Sequence, residues 1–172
     1  MKAITDHQQY QYFTKLLTSF PEWNEISDSA QSRIMNTLDR EIKKESSEPV
    51  IIRFANEIAL SLHSYERIVI EKIMKKLQIS LVVFEQIQQI ISERIIQEQN
   101  IRLDSRIDKD LGLDKLDLIW VILRCEQIFH IQIDEEAVIR PLVTIQAYVT
   151  YISQLYLQER EFSTKTRFMN AS

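Results

Sequence analysis

The stretch Asp110-Leu111-Gly112-Leu113-Asp114-Lys115-Leu116-Asp117-Leu118 contains the only glycine in a chain of 172 residues. Upstream of it, NIRLDSRIDKDLGL reads as a long loop; downstream, LDLIWVILRCEQIFH reads as an apolar helix. Asp114 is placed to cap that helix, and Asp117 follows three residues later. One Gly and three Pro in the whole chain leave almost nothing to form the positive-φ turns that hairpins, bulges and phosphate-cradling loops use. Sandwiches, barrels, Rossmann units and P-loops are therefore disfavoured. Leu, Glu, Gln, Lys and Arg are good helix formers and dominate together with the β-branched Ile, so the expected fold class is all-α.

Working outward, Tyr10, Phe13, Leu16, Leu17 and Phe20 have helical spacing over residues 5 to 19, and Pro21 should stop that helix. Ser27 or Asp28 should cap a second helix through Ile34, Leu38 and Ile42. Ser47, Glu48 and Pro49 form a start signature for a long third helix through Ile51, Phe54, Ile58, Leu62, Tyr65, Ile73 and Leu77. From Ser80 another helix is expected through Val83, Phe84, Ile87, Ile91 and Ile95. The expected organisation is a three-helix segment over 1–77, a second domain over 78–158, and a frayed polar tail over 159–172. No Gly, Pro or Ser-rich linker separates the halves, which predicts that they pack together.

The second domain carries a resemblance. Asp110-Leu111-Gly112-Leu113-Asp114-Lys115-Leu116 is similar to the D-L-G-x-D-S-L signature of acyl carrier proteins. CEQIFHIQID resembles that family's E-x-x-F-x-I-x-I-P segment, and EEAVIRPLVTIQAYVTYI resembles its third helix, T-V and final helix. The resemblance covers 78–158, about half the chain, and implies a four-helix bundle with the three-helix segment packed on it. In the family, the Ser of D-S-L receives a phosphopantetheine arm that carries acyl groups as thioesters. Lys115 stands at that position here, its amine is no substrate for that phosphodiester chemistry, and Ser105 lies ten residues upstream. No cofactor is expected. A cation at a helix N-terminus also costs about 0.3–1 kcal/mol, where a phosphate would be favoured. The family presents an acidic second helix to partner enzymes, whereas LDLIWVILRCEQIFH has few acids. Apolar residues all round a helix imply cover on more than one side, by the N-terminal half or by another protein.

The formal net charge is −4, with 21 basic and 25 acidic residues; residues 78–158 hold 7 and 12 of these. That balance argues against nucleic acid as a partner. The longest apolar run, Leu118 to Leu123, falls far short of the roughly 20 residues that span a bilayer, so no membrane segment is expected. MKAITDHQQYQYF lacks the apolar core of a signal peptide, and Cys125 has no second cysteine to pair with, which together suggest a cytoplasmic protein. Five aspartates between 104 and 117 do not match a calcium loop, because Gly112 and Ile119 fall at the wrong positions. His7, His63 and His130 lack metal-ligand spacing and read as surface or boundary residues. Cys125 reads as a core thiol and not as a nucleophile. The pairs Lys43–Lys44 and Lys75–Lys76 read as complements to helix C-termini.

No residue set supports catalysis. The expected function is a non-enzymatic protein-interaction, adaptor or regulatory module on a carrier-like fold without phosphopantetheine. Its partner would be a protein, met by Lys115, Leu116, Trp120, Leu123, Arg124 and Gln127, with Lys115 discouraging ordinary carrier partners. The alternative is an immunity-type or inhibitor protein that neutralises an effector through its N-terminal half. A working acyl carrier is a third possibility, and it would require a modified serine.

Overall fold

The computed structural model describes residues 6–44, 50–62, 64–95, 101–134 and 143–169. Among these the protein is all-α, as expected: six α-helices and one 3-10 helix, with a single isolated bridge between Arg106 and Thr144 as the only extended pairing. The helices are α1 (Asp6–Ser19), α2 (Asp28–Lys43), α3 (Val50–Ser61), α4 (Ser64–Ser92), α5 (Lys115–Phe129) and α6 (Ile145–Met169). The chain divides into two compact units, Met1–Gln78 and Ile79–Ser172.

In the first unit, α1 ends before Pro21, which opens the 3-10 helix Pro21–Glu25. Ser27 caps α2: its Oγ accepts from Ala30 N–H at 3.4 Å and donates to Glu66 Oε1 at 2.5 Å. The Gln31 side-chain amide donates to the Trp23 and Ile26 carbonyls, each at 3.0 Å, and so fixes the 3-10 turn against α2. α2 packs on α1 and α3, with Leu16, Leu17, Ile34, Leu38, Phe54 and Ile58 all buried. A buried ion pair crosses from α2 to α3: Arg53 Nε lies 3.2 Å from Glu41 Oε2, and Arg53 Nη2 donates to the carbonyls of Glu41 and of Lys44.

Three boundaries differ from the sequence expectation. The long third helix is two helices. The Ser61 hydroxyl donates to the Ile58 carbonyl at 3.2 Å, and Arg33 Nη1 donates to the Ser61 carbonyl at 3.3 Å. Terminal carbonyls are thus satisfied by side chains, one of α3 itself and one from α2, which is how a helix end is stabilised without Gly or Pro. In contrast, nothing stops α4 between Leu77 and Ser80. It runs on to Ser92, so Lys75 and Lys76 are mid-helix residues and not C-terminal complements. The expected frayed tail is helical as far as Met169, in a segment with no Gly or Pro. The Ser47-Glu48-Pro49 signature, His63 and the EEAVIRPL segment lie outside the described residues.

The second unit is built on buried Val83, Phe84, Ile87 and Ile91 of α4, Val121, Ile122, Cys125 and Phe129 of α5, and Ile145, Tyr148, Val149 and Ile152 of α6. Phe129 meets Tyr156 edge to face at 5.6 Å. α5 ends on His130 in the left-handed conformation, φ 53°, which turns the chain into the extended segment carrying buried Ile131 and Ile133.

Candidate functional site

The loop before α5 is pinned at several points. Gln88 Nε2 donates to the Ile101 carbonyl at 2.8 Å; Ile145 N–H donates to the Ser105 carbonyl at 3.1 Å; Gln146 N–H donates to the Leu103 carbonyl at 2.8 Å. Ile101, Leu103, Ile107, Leu111 and Leu113 are buried and anchor the loop by alternation. The aspartates point elsewhere. Asp104 pairs with Arg102, Asp108 with Arg106, and Asp110 accepts from Arg106 N–H at 2.7 Å. Gly112 has φ +64°, which an L residue rarely adopts, and this conformation delivers the chain to α5.

α5 begins with a complete capping box. Asp114 Oδ1 accepts from Leu116 N–H at 2.8 Å and Asp117 N–H at 2.9 Å, while Asp117 Oδ2 accepts from Asp114 N–H at 3.3 Å. Lys115 is the first helical residue, and its side chain is exposed. Its charge opposes the positive helix N-terminus, and the two flanking carboxylates offset it.

The side chains singled out in the sequence fall on two edges of one surface. Leu116, Trp120, Leu123 and Gln127, spaced i, i+4, i+7 and i+11, lie away from the face that buries Val121, Ile122, Cys125 and Phe129. Leu116 is 74% exposed and Leu123 46%; Trp120 and Arg124 are half-buried, and Lys115 and Gln127 are exposed. One face of α5 is buried, and the other carries the apolar side chains Leu116 and Leu123 exposed.

Arg94, just beyond the end of α4, belongs to this surface and was not among the residues expected from the sequence. Its guanidinium lies 4.5 Å from the centroid of the Trp120 ring, and its Nε is 3.9 Å from Asp117 Oδ1. Arg124 approaches the same ring at 6.0 Å and donates from Nη1 to Gln127 Oε1 at 3.3 Å. Arg124 Nε is shielded from solvent with no acceptor among the described residues. No periodicity in the sequence links Arg94 to Trp120, because a loop separates them.

Other candidate chemistry is absorbed by the fold. Cys125 is fully buried, and burial, with a smaller contribution from Glu126, pushes its thiol up to about 12. A thiol held protonated in this way is a poor nucleophile. Tyr148 is likewise pushed up to about 12, first by burial and then by Cys125. A cavity of about 190 Å³ in the first unit is lined by Ala55, Ile58, Ala59, Ile70 and Met74 together with Glu71, Lys75 and Gln78. None of the described helices is long and apolar enough to cross a membrane.

Ser105 is the last hydroxyl before α5, and the sequence has no Ser or Thr from Arg106 to Val143. Ser105 is itself buried, its Oγ accepting from Arg102 N–H at 2.9 Å.

No family model and no solved structure matches the chain. Curated proteins do. The acyl carrier protein of Campylobacter concisus is 36% identical over 77 residues, which cover 44% of this chain and 97% of that protein. The acyl carrier protein of Phytoplasma mali is 30% identical over 73 residues, covering 42% of this chain and 86% of that protein. That of Guillardia theta is 33% identical over 73 residues, covering 42% and 89%. Nearly the whole length of a carrier is thus matched within less than half of this chain, and through that stretch the chain belongs to the acyl carrier protein family.

Proposed function

We propose that this protein is a non-enzymatic interaction or regulatory module on a carrier fold, that Lys115 occupies the place of the modified serine, and that the chain carries no phosphopantetheine. The observation that carries this is the chemistry at the start of α5. The exposed first residue of the capped helix presents an amine, and the nearest hydroxyl along the sequence, Ser105, is buried and bonded to the backbone. A phosphodiester needs a free hydroxyl there. With the arm absent, the surface left to act is the outward face of α5, where Leu116 and Leu123 are exposed. Its partner is a protein, because an apolar stripe at helical spacing fits another polypeptide surface.

The competing assignment is a working carrier, favoured by the similarity to curated acyl carrier proteins. Coexpression with a phosphopantetheinyl transferase separates the two. The intact mass should stay that of the unmodified chain, and a gain equal to one phosphopantetheine arm would establish a carrier.

A further inference from the structure

The outward face of α5 has a charge character opposite to that of its own unit. Residues 78–158 carry 7 basic and 12 acidic side chains, yet Lys115, Arg124 and Arg94 gather around Leu116, Trp120 and Leu123. The two carboxylates beside them are engaged: Asp114 and Asp117 form the capping box, and Asp117 also lies 3.9 Å from Arg94. Lys115 and Arg124 form no ion pair among the described residues. Arg124 is held by the Trp120 ring and by a neutral amide, and its Nε donor is buried without an acceptor. The rest of the guanidinium is accessible, with an exposed Nη1 bonded only to the Gln127 amide, so a partner's carboxylate can pair with it, and charge-assisted bonds of that kind are roughly twice as strong as neutral ones.

We infer that this face docks an acidic amphipathic helix of a partner protein. The partner's apolar stripe lies on Leu116, Trp120 and Leu123, and one carboxylate reaches Arg124. This rests on the interaction function proposed above and adds the chemistry of the partner. Stripe and charge divide the work: apolar contact supplies affinity, and the cations around it set orientation and exclude basic helices.

The test uses the full chain and two synthetic amphipathic peptides with the same leucine stripe, one flanked by glutamates and the other by lysines. Binding is read by anisotropy of the labelled peptide. The glutamate peptide should bind about tenfold or more tightly than the lysine peptide at low salt, with the gap narrowing as salt rises. Arg124→Glu should reverse the preference, and Leu116→Ser should weaken both peptides. If Arg124→Glu does not keep its helical circular dichroism, the two peptides on the unaltered chain decide. Equal binding of the two peptides, or none, overturns the inference. So does sedimentation with anionic phospholipid vesicles in place of peptide binding, which would assign the cations to a lipid surface. A phosphopantetheine mass gain, by contrast, removes the function on which it rests.

Discussion

The guanidinium of Arg94 stacks 4.5 Å from the centre of the Trp120 ring while its Nε lies 3.9 Å from Asp117, so the end of α4 is tied to the first two turns of α5. A partly exposed cation–π contact is worth about 0.5–1 kcal/mol, and an exposed ion pair at that distance adds little. Arg94→Ala should therefore lower stability by about 1 kcal/mol and shift Trp emission to the red. Trp23 is buried and emits as a constant background. An unchanged spectrum and an unchanged urea midpoint would mean that the stack contributes nothing in solution.

The capping box makes a sharper prediction. Asp114 alone satisfies the N–H groups of Leu116 and Asp117, and loss of such a cap costs about 0.5–2 kcal/mol. Asp114→Ala should destabilise within that range and speed hydrogen exchange at Leu116 and Asp117, while Asp114→Ser should restore most of the loss. Fast exchange in Asp114→Ser as well would show that the carboxylate charge beside Lys115, and not the hydrogen bond, holds the helix start.

Much of this was legible in the sequence where one residue decides the outcome. Ser27 and Asp114 are caps because their short side chains reach the next free N–H groups, and Cys125 is core because its neighbours at i−4, i−3 and i+4, Val121, Ile122 and Phe129, are apolar. Boundaries failed where the decision was tertiary. The break after Ser61 depends on Arg33, brought in from α2. Ser80 reads as a helix start, yet it is 2% exposed inside α4, where packing outweighs its preference for a cap. Periodicity identifies the face of α5 but not what lies over it, so Arg94 was missed.

The buried pair in the first unit should be intolerant of single changes. Glu41 is 1% exposed and Arg53 7%. Arg53→Met removes the bonds to Glu41 Oε2 and to the Glu41 and Lys44 carbonyls at the end of α2. Breaking one side of a buried pair costs about 3–5 kcal/mol, whereas replacing both sides with apolar groups is often nearly neutral. Glu41→Met combined with Arg53→Met should recover a large part of the loss in chemical denaturation. A double variant as unstable as Arg53→Met would assign the cost to the lost carbonyl bonds.

Stability should fall in alkali. Cys125 is raised from about 9 and Tyr148 from about 10, both to about 12. The folded state holds each proton to higher pH than the unfolded chain. The stabilisation is thus complete below about pH 9 and declines between about 9 and 12, by about 1.4 kcal/mol per pH unit for each group that titrates. Denaturation midpoints from pH 7 to 11 should show a plateau and then a descent, and Cys125→Ala should make the descent shallower. An identical slope in Cys125→Ala would remove the thiol as a cause.

The last prediction concerns Lys115 itself. Lys115→Ser would place a hydroxyl on an exposed residue at the start of a capped helix, with Asp114 before it and Leu116 after it. It would also remove a cation from the positive end of the helix, which favours stability by a few tenths of a kcal/mol, roughly. Coexpressed with a phosphopantetheinyl transferase, Lys115→Ser should gain the mass of the arm in part of the population, where the unaltered chain gains none. Arg124 still stands beside Trp120 further along the same helix, so combining Lys115→Ser with Arg124→Glu should raise the modified fraction. A Lys115→Ser chain that is never modified, with or without Arg124→Glu, would mean that the side chain at 115 is not what separates this surface from a working carrier. The altered outward face of α5 would then be the barrier.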